Sequence, residues 1–503
     1  MFVARLATYH TILFGDVKDD LHPPDRCIDG PLPCSRKINH ANCLLCRPDI
    51  VAASLAMVTN QSSIAIEVRK KNPTRGNRPA LCANHAPQHT VRNMTNSPTT
   101  PSLVAHYSND FNEEVLPSHG VGSALGLWML LALVATDAQG PAREEIERVL
   151  RTDAGDAARR VRVLLDTPHP ALHAALALWY EEDFMAERFS AFADSLPNST
   201  TRGPVPTQDA ADAWANEHSL GLVPKFPLDI QSRTAIVLAS TLATRGDWQE
   251  PFTDSTPEAL GGDFASQTTS ALRSPVSHNV FVVRTDAAGH VGAHTALTRD
   301  GLLVVSVIGD PEAPPATMHR AATEVASMLE GGQASTHQVS LFDLPLGEGG
   351  SWSIEEHLYE SFGPPTIETT EAILAPWEIS TLSDLVNAPG VSSAFDTMDK
   401  WIHPVLRPGS FQAKQAAIAR FTKTGFEAAA VTAMSARAGS VPQRTLTTER
   451  KLTLRFNRPY AVVALTQSSL PDPAAPWRQV SIASTEWDGL PVFAAWVGHV
   501  DPA

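Results

Sequence analysis

Cysteine is missing from most of this 503-residue chain: Cys27, Cys34, Cys43, Cys46 and Cys82 are its only five, and all precede Met94. Whatever folds beyond that point does so without disulfides or thiolate-bound metal. Charge is sparse too, at 18% of residues against 43% hydrophobic, a balance that excludes a disordered chain and supplies a sizeable core. Basic side chains are the scarcer sign, 39 against 54 acidic, for a net charge of −15. That argues against nucleic acid or an anionic membrane surface as partner. The strongest apolar run, Val121 to Ala135, is shorter than the roughly 20 residues of a membrane span and reads as a buried core helix. At the amino terminus the apolar run is short, interrupted and followed by Asp16, Asp19 and Asp20, so no export signal is legible.

Catalytic signatures are absent as well. Lys423-Thr424-Gly425 spells the KTG of serine β-lactamases, but no lysine follows a serine at the Ser-x-x-Lys spacing. Gly122 directly precedes Ser123, so the Gly-x-Ser-x-Gly nucleophile elbow is absent, and neither HExxH nor a phosphate-binding loop occurs. The 18 histidines show no ligand spacing. A non-enzyme with no cofactor is the expectation.

What is present divides at Met94. Residues 1–93 carry a net +5 and the remainder −20. The first part scatters Pro, Asn and basic residues around one strand-like stretch, Ser62 to Val68, and reads as a poorly ordered extension. Of its cysteines only Cys43 and Cys46 have tight zinc spacing, a weak metal candidate. Met94 opens a polar leader where charge and cysteine usage change, which marks it as an alternative start. From 94 to 503 the pattern predicts helices over 121–135, 142–150 and 209–217, and strands over 234–242, 280–284, 302–308 and 339–344. Helices early and strands late indicate an α+β domain with large, mostly antiparallel sheets.

The tract from Thr422 to Tyr460 combines opposing properties. After Gly425, alternation sorts Phe426, Ala428, Ala430, Thr432, Met434, Ala436 and Ala438 onto one face, with Glu427 and Arg437 on the other. A half-buried strand and an alanine-rich helix are equal readings of that pattern. An open loop at Gly439, Ser440, Pro442 and Gln443 follows, before a strand pattern resumes over 452–465 around a Phe-Asn-Arg-Pro corner.

At these residues the chain resembles the serpin family. The hinge matches as Gly425, Phe426, Glu427, Ala428, Ala429, Ala430, Val431 and Thr432, and the carboxy-terminal signature as Phe456, Asn457, Arg458, Pro459 and Tyr460. Ala213 to Phe226 is similar to the family's helix and turn, Thr244 to Phe252 to its Lys-Gly-Lys-Trp segment, and Pro491 to Pro502 to its end. The matches run in family order over about residues 105 to 503. They imply a serpin fold with large mixed sheets, about eight or nine helices and an exposed reactive-centre loop.

The implied function is monomeric inhibition of a serine or cysteine protease. The loop offers a bait bond and, once cut, inserts into the central sheet with the protease attached. Trp248 would plug the top of the opening sheet, while Ser240 and Gln415 stand where the family's shutter has Asn and His. His119-Gly120-Val121-Gly122 replaces the shutter's Ser-Pro-x-Ser, Lys423 stands in place of the hinge acid, and Phe426 is large for a first inserting residue. Counting forward from the hinge puts the bait bond at Gly439–Ser440. Counting back from the signature puts it at Arg444–Thr445, and Arg437–Ala438 is a further basic alternative. The changed hinge and shutter also allow a non-inhibitory carrier. The resemblance implies an extracellular protein, and the missing export signal a cytoplasmic one.

Overall fold

The computed structural model describes residues 5–14, 98–405, 411–424, 445–472 and 475–500. The chain divides into two compact units, Met1–Asp19 with Ser97–Ala503, and Asp20–Asn96. The second lies outside the described residues, and with it Cys43, Cys46 and the strand expected at 62–68.

The first unit is α+β. Among the described residues it has eleven α-helices, eight of them seven residues or longer, around three six-stranded sheets and a two-stranded ribbon. Helix starts follow local chemistry. Thr99 accepts a hydrogen bond from the Ser102 amide at the head of Thr100–Val115, and Asp153 does the same for Asp156 ahead of Ala154–Asp166. The helix expected over 121–135 is Ala124–Val134, capped by Ser123 and buried at every position. A helix that is apolar all round belongs in the core, and this one is flanked by the central sheet and by strand Pro491–Val497. The strand expected at 302–308 is found as Leu302–Ile308, and that at 280–284 within Asn279–Thr285.

The strand expected over 339–344 is instead a 3₁₀ turn, Leu341–Asp343. Ser340 Oγ accepts from the Phe342 amide, and Glu368 accepts from both Ser340 Oγ and the Leu341 amide. These side-chain bonds take the backbone donors a ladder would need.

The central sheet runs in the order Trp377–Asp384, Phe411–Phe421, Arg5–Phe14, Ile236–Arg245, His173–Tyr180 and Thr201–Gly203. All its pairings are antiparallel except the last. We call Phe411–Phe421 the hinge strand, because the chain leaves it toward Gly425, and Arg5–Phe14 the amino-terminal strand. A second, wholly antiparallel sheet contains Tyr460–Thr466 and Leu302–Ile308. In the third, Thr445–Phe456 lies between Trp352–Ser361 and Thr366–Leu374.

Candidate strand-insertion site

Antiparallel alternation sets the geometry of the central sheet. The 236–245 strand and the hinge strand are each antiparallel to the amino-terminal strand between them, and so run parallel to each other. Their spacing is two strand widths, about 9 to 10 Å. The sheet thus has a position, beside the hinge strand, that takes an extended segment antiparallel to both walls. Ser240, His10 and Gln415 stand in one register row across that position.

At the upper end the hinge strand is clamped. Trp248 is buried, 1% exposed, and its Nε1 donates to the Thr422 carbonyl at 2.9 Å. The Phe252 amide donates to the Lys423 carbonyl at 2.9 Å. Phe421 packs against Trp248, Phe252 and Trp377 with ring centroids 5.2, 5.3 and 5.8 Å apart. Lys423, where the family's acid was expected, pairs through Nζ with Asp254, so the site keeps a charge pair.

Behind Phe252 lie two histidines, His278 and His294, that no sequence motif marks. His278 Nε2 bonds the Glu250 carbonyl and must donate to it, which leaves Nδ1 to accept from His294 Nε2 at 3.0 Å. Burial lowers both, His278 to about 4 and His294 well below its usual value. Both rings are neutral near pH 7.

At mid-strand Gln415, expected from the resemblance to stand at the shutter position, makes a two-pronged contact. Its Oε1 accepts from the Ser123 amide and its Nε2 donates to the Ser123 carbonyl, each at 3.1 Å. Gln415 and Ser123 are both fully buried, so the hinge strand is fastened to the cap of the core helix. A Cβ on Gly122 would lie 2.9 Å from Gln415 Oε1, which is why a Gly-Val-Gly strand passes here. Val121 donates its amide to Thr381 Oγ1 on the neighbouring strand Trp377–Asp384. Ser240 Oγ donates to the Gly126 carbonyl at 3.4 Å, a longer contact.

The signature residues form a corner between two sheets. Phe456 and Tyr460 are fully buried, their rings edge-to-face at 4.8 Å. The Asn457 carbonyl accepts from the Phe264 amide, and Arg458 donates to the Gly309 carbonyl and Ser351 Oγ. The chain bends at Arg458 before strand Tyr460–Thr466. The expected hinge residues Gly425 to Thr432, and the bait-bond candidates Arg437, Ala438, Gly439, Ser440 and Arg444, lie outside the described residues. Thr445 opens the strand Thr445–Phe456, in register with Ser361.

Residues 110–275 match the family model Serpin (serine protease inhibitor), a segment that includes the core helix, the 236–245 strand and Trp248. The structure is similar, at low identity, to human kallistatin (12% identity over 80% of this chain and 96% of that one, TM-score 0.48). It is similar to human thyroxine-binding globulin in a thyroxine complex (11%, 80% and 98%, 0.49). It is also similar to tengpin, a thermophilic serpin in its native state (11%, 78% and 92%, 0.49). No curated protein matches the sequence.

Proposed function

We propose that this protein is a serpin throughout its described body and inhibits serine-type endopeptidases by loop cleavage and insertion, without cofactor or catalysis of its own. One observation carries the reading: the sheet takes a strand antiparallel to both the hinge strand and its parallel partner. A segment that leaves Phe421 and turns back beside it has that polarity. An inserted strand of about a dozen residues makes ladder hydrogen bonds on the order of 1 kcal/mol net each, in exchange for those of the strand Arg5–Phe14 that lies there. The uncut loop, held between Thr424 and Thr445, cannot lie down along the hinge strand.

The bond at Gly439–Ser440 suits this function best. Thr445 is already paired in the third sheet, so a cut after Arg444 leaves the protease no free extended chain on its far side. It would also lengthen the tether by five residues, about 17 Å when extended, and weaken any distortion of the trapped enzyme. Incubation with a panel of serine proteases tests the proposal. The expected result is an SDS-stable one-to-one complex, and quantitative cleavage with none formed overturns it.

A carrier function is the second reading, supported by a cavity of about 520 Å³ between helices Thr100–Val115 and Pro315–Glu330, a volume typical of small-molecule sites. Asn109 Oδ1, Asn112 Oδ1 and His319 Nε2 line it, buried without a hydrogen-bond partner among the described residues. His319 is bonded to Leu116 and lowered by burial to about 4, so its free nitrogen accepts. The ligand class is an apolar molecule bearing hydroxyl or N–H donors. A rise in melting temperature with such compounds, lost in Asn112→Leu, supports it; no binder in a broad set of them removes it.

A further inference from the structure

The gap between the 236–245 strand and the hinge strand is already filled, and by the beginning of the same chain. Arg5–Phe14 pairs with the hinge strand from Leu6↔Ala419 to Phe14↔Phe411, and with the other wall from Arg5↔Arg245 to Leu13↔Val237, in unbroken register on both sides. We propose that the segment Arg5–Phe14 is an intramolecular ligand of this strand-accepting gap and holds it against any other strand until displaced.

The segment suits a central position. RLATYHTILF has no Pro or Gly and is rich in aromatic and β-branched residues, the composition that favours a paired strand. Its register positions 6, 8, 10 and 12 align with Ala419, Ala417, Gln415 and Ala413, all buried on the core face. On the other side they align with Thr244, Leu242, Ser240 and Leu238, also buried. Without the segment, the two walls would have to meet as parallel strands or leave a row of backbone groups unpaired.

A ten-residue strand of this kind is displaceable. Its ladder bonds are offset by the entropy of ordering its backbone, and a released strand stays part of the same chain, so its return is intramolecular. The place of the strand stands apart from the insertion reading. That it competes with the cleaved loop rests on that reading. Only one strand fits, so the cut loop must expel Arg5–Phe14 to enter.

Hydrogen exchange on the intact full chain tests the occupancy. Amides of Arg5–Phe14 are expected to exchange at least about a hundredfold more slowly than in a free peptide of that sequence, independently of protein concentration. Exchange at the free-peptide rate overturns the proposal. So does protection that grows with concentration, because the strand is then donated by a second copy. Thr8→Pro, which removes a central ladder donor, should abolish that protection, lower the melting temperature by several degrees, and be rescued by the added Arg5–Phe14 peptide. An unchanged melt, or no rescue, also overturns it. With the loop nicked, insertion in Thr8→Pro should be several-fold faster than in the parent. If nicking stabilises neither protein, the insertion reading fails while the exchange result still decides the occupancy.

Discussion

Single side chains set how hard the hinge strand is to move. Gln415→Leu would keep the volume but strip both hydrogen bonds from Ser123, leaving a buried amide and a buried carbonyl without partners. The expected cost is about 2 to 4 kcal/mol, read as a lower denaturant midpoint; a loss under about 0.5 kcal/mol would show that these two bonds do not hold the strand in place. The buried histidines predict a pH dependence. His278, His294 and His319 are all depressed in the folded state, so between those values and about 6.5 the unfolded chain binds more protons. Stability therefore falls as pH drops from about 6.5 toward 4, by on the order of 3 kcal/mol for a histidine shifted from 6.5 to about 4. Urea titrations across that range, with His319→Met removing one share of the slope, check it. A flat profile would contradict the burial that causes the shifts. None of these contacts was legible beforehand. His278 and His294 meet across a hairpin with no motif spacing, and Gln415 was recognised by position while its partner Ser123 was not.

At the scale of elements, local pattern was a good guide wherever one face or all faces are buried. The core helix, the helix at 142–150, found as Pro141–Leu150, and the strand Leu302–Ile308 lie within a few residues of expectation. The turn at 341–343 departs from the expected strand because its decisive partner, Glu368, lies in another strand. The amino-terminal strand is not legible in the sequence for a related reason: its alternation is ordinary, and nothing nearby says what it pairs with. A prediction about the loop belongs here. Ala430→Pro should leave loop cleavage intact while shifting the outcome from stable complex to cut product by more than tenfold, since proline cannot donate into a central ladder. A gel measures the ratio. An unchanged ratio would mean that position 430 does not insert.

For the molecule as a whole, the proposed function predicts that a nicked chain outlasts the intact one on heating. Calorimetry before and after limited proteolysis should show the transition move upward, and a coincident or lower one would contradict stored strain. The pairing of Leu6 with Ala419 also has a consequence during biosynthesis. The first strand of the sheet leaves the ribosome long before the last of its neighbours. With about four hundred residues between them and synthesis at roughly 5 to 20 residues per second, it waits on the order of half a minute. Over that interval a β-prone ribbon has at most one wall to lie against, the 236–245 strand, so nascent chains stalled before residue 411 should be the species most in need of a chaperone.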